Sequence, residues 1–352
     1  MKKTLYLLSV TLLSASVMIM TPHRAEAAAT KEVVIFNWSD YIPEEVLNDF
    51  TKETGINVVY STYESNESMF SKLQVIGAGK AGYDIVVPST YYINMLKEQN
   101  LIQKLDLSKV GNIKHLDPKF LDQDYDKGNA YSIPYMWGGV GILVNTEKVK
   151  TEVSSWADLA NPDFAGKLLL SDDLRDLFGM ALKANKLSPN TDDDADLKVA
   201  YEWLREIKPL VRVFSSQIKP PVMGDEVTVG MGWNGDVLLI QEEKPEISFI
   251  WPKEGTLVWV DSFVLLKGAP NLENAYKFID YMLRPEVAVK CVEEYMYSTP
   301  NVSALKLLPE ELVNNPVFLP TEEDLAGSDF LLDIGQGIRL YSDYWEQLLH
   351  GK

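Results

Sequence analysis

A single cysteine, Cys291, stands among the 352 residues, so no disulfide can form within the chain. Histidine is nearly as scarce: His23, His115 and His350 are the only three, and they lie far apart in sequence. That argues against a histidine-based metal site and against a Ser-His-Asp arrangement. Neither G-x-S-x-G nor a phosphate-binding G-x-x-x-x-G-K-[ST] loop occurs, which leaves no expected catalytic residue and no cofactor motif. A membrane-spanning helix needs about 20 apolar residues, and beyond the N-terminal segment no run of that length is free of charge. Internal repeats, low-complexity tracts and flexible Gly/Ser linkers are also missing. Positive charge is in short supply, with 33 Lys and Arg against 51 Asp and Glu.

What is present begins with an export signal. Lys2 and Lys3 give a basic start, Leu5 to Met20 is apolar, and Ala25-Glu26-Ala27 fits a small-x-small cleavage site. Residues 1–27 are therefore expected to be a cleavable signal peptide that delivers the mature chain to the periplasm. No cysteine stands immediately after the signal, as a lipoprotein would need, so a lipid-anchored form is not expected. Cleavage removes three basic residues and one acidic one, leaving 30 against 50 and a net charge of −20. Such a surface repels nucleic acid and anionic membranes and draws in cations.

Strand-like and helix-like segments alternate along the mature chain. VVIF leads into a helix through EEVLNDFTKETG, with Pro43 in its first turn and Gly55 as C-cap. INVVYSTY, ESMFSKLQVI, YDIVVPST and YYINMLKEQ continue the βαβα order, which implies a parallel sheet covered on both faces. The pattern recurs in GKLLL with SDDLRDLFGMALKAN and in EVTVGMGW with NGDVLLIQEE, while LVWVDSFVLL reads as a long strand and helices close the chain.

Three motifs fail on context. Gly77 to Gly82 spells GxGxxG, but a helix precedes and a strand follows, the reverse of a dinucleotide site. Asp122, Asp124 and Asp126 open like a calcium loop, but the glycine falls one place late and position twelve is Ile133, so they read as a solvated turn. Asp192, Asp193, Asp194 and Asp196 precede a helix, where negative charge meets its dipole favourably. No metal site is expected.

One constellation survives. In open α/β sheets, ligands bind at the carboxyl ends of strands. Trp38, Ser39, Asp40 and Tyr41 follow the first strand, and a simple turn does not explain two aromatics there. Ser89 and Tyr91 follow YDIVVP, Asp173 and Asp176 follow KLLL, and Trp233 and Asp236 follow EVTVGMG. Trp259 and Asp261 share one face of the strand LVWVDSFVLL with Leu257 and Phe263. A carboxylate placed there is costly unless a cation or donor meets it, and the strand itself holds no Lys or Arg.

A chain of methylenes ending in ammonium groups suits carboxylates set among flat aromatic walls. Each cation–π contact adds roughly 0.5–2 kcal/mol, and each buried CH₂ about 0.8 kcal/mol. A polyamine has both features. A sugar also stacks on Trp and bonds to Asp, and paired carboxylates could make a glycosidase.

NWSDYIPEEVLNDFTKETGINVVYSTYESNE, YDIVVPSTYY, YSIPYMWG, SSWADL, GMGWNGD, WPKEG and LRPEVA, in this order, resemble the periplasmic polyamine-binding proteins of ABC importers. The resemblance runs from about Val33 to the C-terminus. It implies an α/β, two-lobed periplasmic binding protein fold of type II, with the ligand in the interlobe cleft. The lobes implied are 28–138 with 259–305 (N-terminal) and 139–258 with 306–352 (C-terminal). Trp38, Ser39, Asp40, Tyr41, Ser89, Tyr91, Asp173, Asp176, Trp233, Asp236, Trp259 and Asp261 would line the site. Asp176 stands where the family often has Glu. Asp40 and Asp236 resemble the putrescine branch, Asp173 and Trp259 the spermidine branch, and Leu331 replaces a Gln of spermidine binders. The implied role is non-enzymatic capture of putrescine or spermidine by a monomer that delivers it to a membrane permease. A periplasmic sensor docking on a transmembrane signalling protein would use the same pocket.

Overall fold

The computed structural model describes residues 31–351 except Ala78, Gly79 and Ala81. The signal sequence, and part of the GxGxxG stretch, lie outside the described residues. From Lys31 onward the chain packs as one unit.

Its centre is a mixed sheet of ten strands: β1 (Glu32–Trp38), β2 (Asn57–Tyr63), β3 (Ile85–Val86), β4 (Ser132–Asn145), β5 (Leu168–Leu170), β6 (Val211–Phe214), β7 (Val229–Trp233), β8 (Ile247–Ile250), β9 (Leu257–Leu265) and β10 (Asp329–Phe330). The main path runs β2-β1-β3-β9-β4-β7-β5-β6. Strands β1, β2 and β3 are mutually parallel, and so are β5, β6 and β7. A wholly parallel sheet is thus not what forms. The long strands β4 and β9 pair antiparallel between the two parallel sets, and β9 is also antiparallel to β3 and β4 to β7. Strand β4 pairs with β9 up to Val140 and with β7 from Val140 onward, so one strand belongs to both sets. Every residue of β4 and β9 is buried, as befits strands covered on both faces.

Local signals account for many boundaries. The helix Glu44–Thr54 stops where Gly55 takes a left-handed φ of 69°. Pro43 sits at its N-cap, one place before the first turn, because a fixed φ of −58° suits the extended entry. Strand β1 runs through Trp38, so the NWSDY turn begins only at Ser39. Asp193 caps the helix Asp194–Ile207, as expected of the acidic run. The Asp122–Asp126 segment is less solvated than its composition suggests. Asp126 is buried and accepts from the amides of Tyr131 and Ser132 and from the Ser132 hydroxyl, which organises the entry to β4.

Candidate functional site

The parallel strands of each set point their carboxyl ends at the residues singled out above, and β9 supplies the rest. Asp261, 5% exposed, lies mid-strand on β9. An antiparallel backbone bridge brings Ser89 beside it. The Ser89 hydroxyl donates to Asp261 Oδ1 at 2.6 Å, and the Tyr41 hydroxyl donates to Oδ2 at 2.7 Å. Burial pushes the Asp261 carboxyl up to about 7, and only those two donors pull it down. Among the described residues no cation takes part.

A second group continues from this one. The Tyr41 ring meets Tyr297 at 6.2 Å, and Tyr297 meets Trp259 edge-on at 5.2 Å. The Tyr297 hydroxyl donates to Asp236 Oδ1 at 2.7 Å. Burial pushes Asp236 up to about 6; the Tyr297 donor lowers it, and the nearby charge of Asp40 raises it. Gly235 makes this contact possible, since a Cβ there would lie 2.5 Å from the Tyr297 ring. Gly138 does the same for Trp259, whose ring would stand 2.6 Å from a Cβ.

A third group is acidic. Asp173 caps the helix Leu174–Ala184, accepting from the amides of Arg175 at 2.8 Å and Asp176 at 3.0 Å. Trp233 Nε1 donates to Asp176 Oδ2 at 3.0 Å, and the Tyr92 hydroxyl donates to Glu67 at 3.1 Å. Burial, then repulsion from Asp173, holds Asp176 well above the carboxylate range and pushes Glu67 to about 7. Asp173 is raised by burial against the pull of its two amide donors. Among the described residues the cation close by, Arg175, hydrogen-bonds elsewhere. It is 1% exposed, donates to Leu332 O, Pro189 O and Asn190 Oδ1, and lies over the rings of Tyr91 and Tyr341 at 5.2 and 5.5 Å.

Tyr91 links the groups, because Asn66 Nδ2 reaches its hydroxyl at 3.0 Å and Ser89 Oγ at 3.1 Å. The opening stretch divides. Tyr41 enters the first group, whereas Trp38 packs on Tyr63 and donates from Nε1 to Val87 O at 2.9 Å. Asp40 is exposed, with a left-handed φ of 50°. Ser39 turns its hydroxyl to Glu64 at 2.6 Å, away from the carboxylates just described. Leu331 is buried and pairs its amide with Val258 O at 3.1 Å.

Sequence reasoning missed Asn66, Glu67, Arg175 and Tyr297. The first two follow β2 as Ser89 follows β3, so the strand-end rule applied to β2 would have found them. Tyr297 follows a helix, and no local pattern marks it. Among the described residues no group of His, Cys, Asp and Glu is arranged to hold a metal ion.

Comparison with known proteins gives a consistent picture. The family of bacterial extracellular solute-binding proteins matches residues 45–320. The spermidine/putrescine-binding periplasmic protein of Escherichia coli is 41% identical over 343 residues, 97% of this chain and 98% of that one. The putrescine-binding periplasmic protein of the same organism is 34% identical over 349 residues, 93% of each chain. The crystal structure of a spermidine/putrescine ABC transporter substrate-binding protein from Streptococcus pneumoniae superposes with a TM-score of 0.79. It is 34% identical and covers 90% of this chain and 98% of its own.

Proposed function

Because the chain belongs to the bacterial extracellular solute-binding proteins, which are binding components and not enzymes, we propose that it captures polyamines for an ABC importer. The fold is that of the type II periplasmic binding proteins. The observation that carries the ligand class is Asp261: a buried carboxylate with hydroxyl donors on both oxygens and, among the described residues, no cation to meet it. An ammonium group supplies the missing charge. Trp259, Tyr297 and Tyr41 offer ring faces to the methylenes beside it.

The second set of acids, Glu67, Asp173 and Asp176, stands ready for another amine. Putrescine and spermidine both fit this scheme, and relatives named for both ligands resemble the chain. In this reading the mature protein works as a periplasmic monomer. It closes two lobes that exchange at residues 138/139 inside β4, 258/259 inside β9 and 305/306, and docks on a membrane permease. No observation favours the sensor reading. Calorimetric titration of the purified mature chain with putrescine, spermidine and a neutral sugar tests the proposal. Heat with either amine and none with the sugar is expected; silence with both amines sinks it.

A further inference from the structure

The hydrogen bonds behind Asp261 are fixed one after another by the chemistry of their donors. The backbone N–H of Ser89 can only donate, so the Asn66 atom 3.2 Å from it is the carbonyl oxygen Oδ1. The amide nitrogen Nδ2 therefore faces Ser89 Oγ at 3.1 Å and the Tyr91 hydroxyl at 3.0 Å, with one proton for each. Since Ser89 Oγ already accepts from Asn66, its single proton goes to Asp261 Oδ1, 2.6 Å away. Asn66 is 1% exposed, Ser89 6%, Tyr91 4% and Asp261 5%, so bulk water cannot readily rearrange this order. Nor does the adjoining helix need a polar residue at position 66: Ser65 caps it, accepting from the Ser68 amide.

We propose that Asn66 is a positioning residue of the binding site. It fixes the Ser89 hydroxyl as a donor to Asp261 and so keeps that carboxylate an acceptor for the ligand's ammonium group. This rests on the polyamine reading. Without the Asn66 amide, Ser89 Oγ loses the donor that sets its orientation, and its proton is no longer committed to Asp261. Asp261 then ionises less readily, because a hydrogen bond to its charged form has gone. The titratable groups that act on Asp261 are Tyr41 after β1, Tyr63 on β2 and Tyr297 beyond the helix Pro285–Tyr295. Their hydroxyl protons are already given, Tyr41 to Asp261 Oδ2, Tyr63 to Val87 O and Tyr297 to Asp236, so none replaces the lost donor.

The experiment measures putrescine and spermidine affinity by calorimetry between pH 5.5 and 8.5, values that are about those bracketing an ordinary buried-carboxyl titration. Wild type, Asn66→Ala, Ser89→Ala and the double variant are compared, each checked for folding by circular dichroism. Asn66→Ala is expected to weaken binding at pH 7 by about tenfold and to move the pH midpoint of affinity up by about one unit. Ser89→Ala should do the same, and the double variant should add little to either. An unmoved midpoint in folded Asn66→Ala, or fully additive effects, overturns the proposal. If Asn66→Ala does not fold, Asn66→Leu serves instead: it fills a similar volume, lacks the donors and adds no charge beside Asp261. An upward midpoint with no further change on adding Ser89→Ala supports the role, and an unmoved one overturns it. Wild type that binds no polyamine would refute the functional reading, which is a separate outcome.

Discussion

Replacing Asp261 by Asn should stabilise the ligand-free protein while removing much of its polyamine affinity. The carboxyl is pushed from an ordinary 3.8 up to about 7 by burial. Between those values the folded state holds a proton that the unfolded state has lost. Stability is therefore present at low pH and is lost as pH rises through that window. At about 1.4 kcal/mol per pH unit, the ionised carboxylate costs on the order of 4 kcal/mol at pH 8. Asn keeps the shape and one acceptor, but its NH₂ faces a hydroxyl that must turn, which returns about 1 kcal/mol. The remaining gain of about 3 kcal/mol corresponds to a rise in Tm of roughly 6 °C for a chain of this size. It should shrink as pH falls below about 7 and vanish below 3.8, where both states hold the proton. Affinity at pH 8 should fall at least tenfold, about 1.4 kcal/mol, since a buried charge pair is lost. Thermal unfolding without ligand across a pH series, with calorimetry at pH 8, measures both. A variant less stable at pH 8, with the wild-type pH slope intact, would refute the burial argument; unchanged affinity would refute the cation pocket.

Wild-type affinity should itself fall by about tenfold from pH 8 to pH 6, because ligand binding must then expel a proton from Asp261, while amines with pKa values near 10 stay charged. Titrations at both values check this, and a flat profile would count against it. Gly235→Ala should drive a methyl into the buried Tyr297 ring, which would stand 2.5 Å away, and release its hold on Asp236 and Trp259. Overpacking of this kind costs about 1–3 kcal/mol; affinity should drop at least tenfold with the far-ultraviolet spectrum unchanged, and undiminished binding would remove Tyr297 from the site.

The parts of the site legible in the sequence are those where a strand end forces a choice of residue. Asp173, Asp236 and Ser89 stand at such ends, where a turn alone does not explain the neighbouring aromatics. Asp261 was legible for another reason, as a charge within an apolar strand. What escaped is what depends on long-range packing. Tyr297 reaches Asp236 across 61 positions, and Tyr41 reaches Asp261 across 220. No periodicity carries such pairings. The mixed character of the sheet escaped for the same reason: β4 and β9 look like any buried strand, and nothing local says that they run antiparallel to each other. Ser39 shows the converse limit. Its place in the turn was readable, but the direction of its hydroxyl depends on Glu64, 25 positions later.

The same electrostatics separates an amine ligand from the sugar that composition alone allowed. A neutral ring stacked on Trp259 would shut Asp261 and Asp236 away from water and leave their charges unmatched, so closure over it would raise a cost already expressed in their elevated pKa values. Protons relieve that cost at low pH, and an inorganic cation would relieve it poorly, since no cluster of ligating side chains replaces its hydration shell among the described residues. An alkyl ammonium ion relieves it at neutral pH and also brings methylenes, each worth about 0.8 kcal/mol against the aromatic faces. A diamine does so at two groups of acids at once. On the proposed reading these groups select for charge and for apolar length together, and substituting either a carboxylate or a ring should weaken binding without converting the protein into a sugar binder.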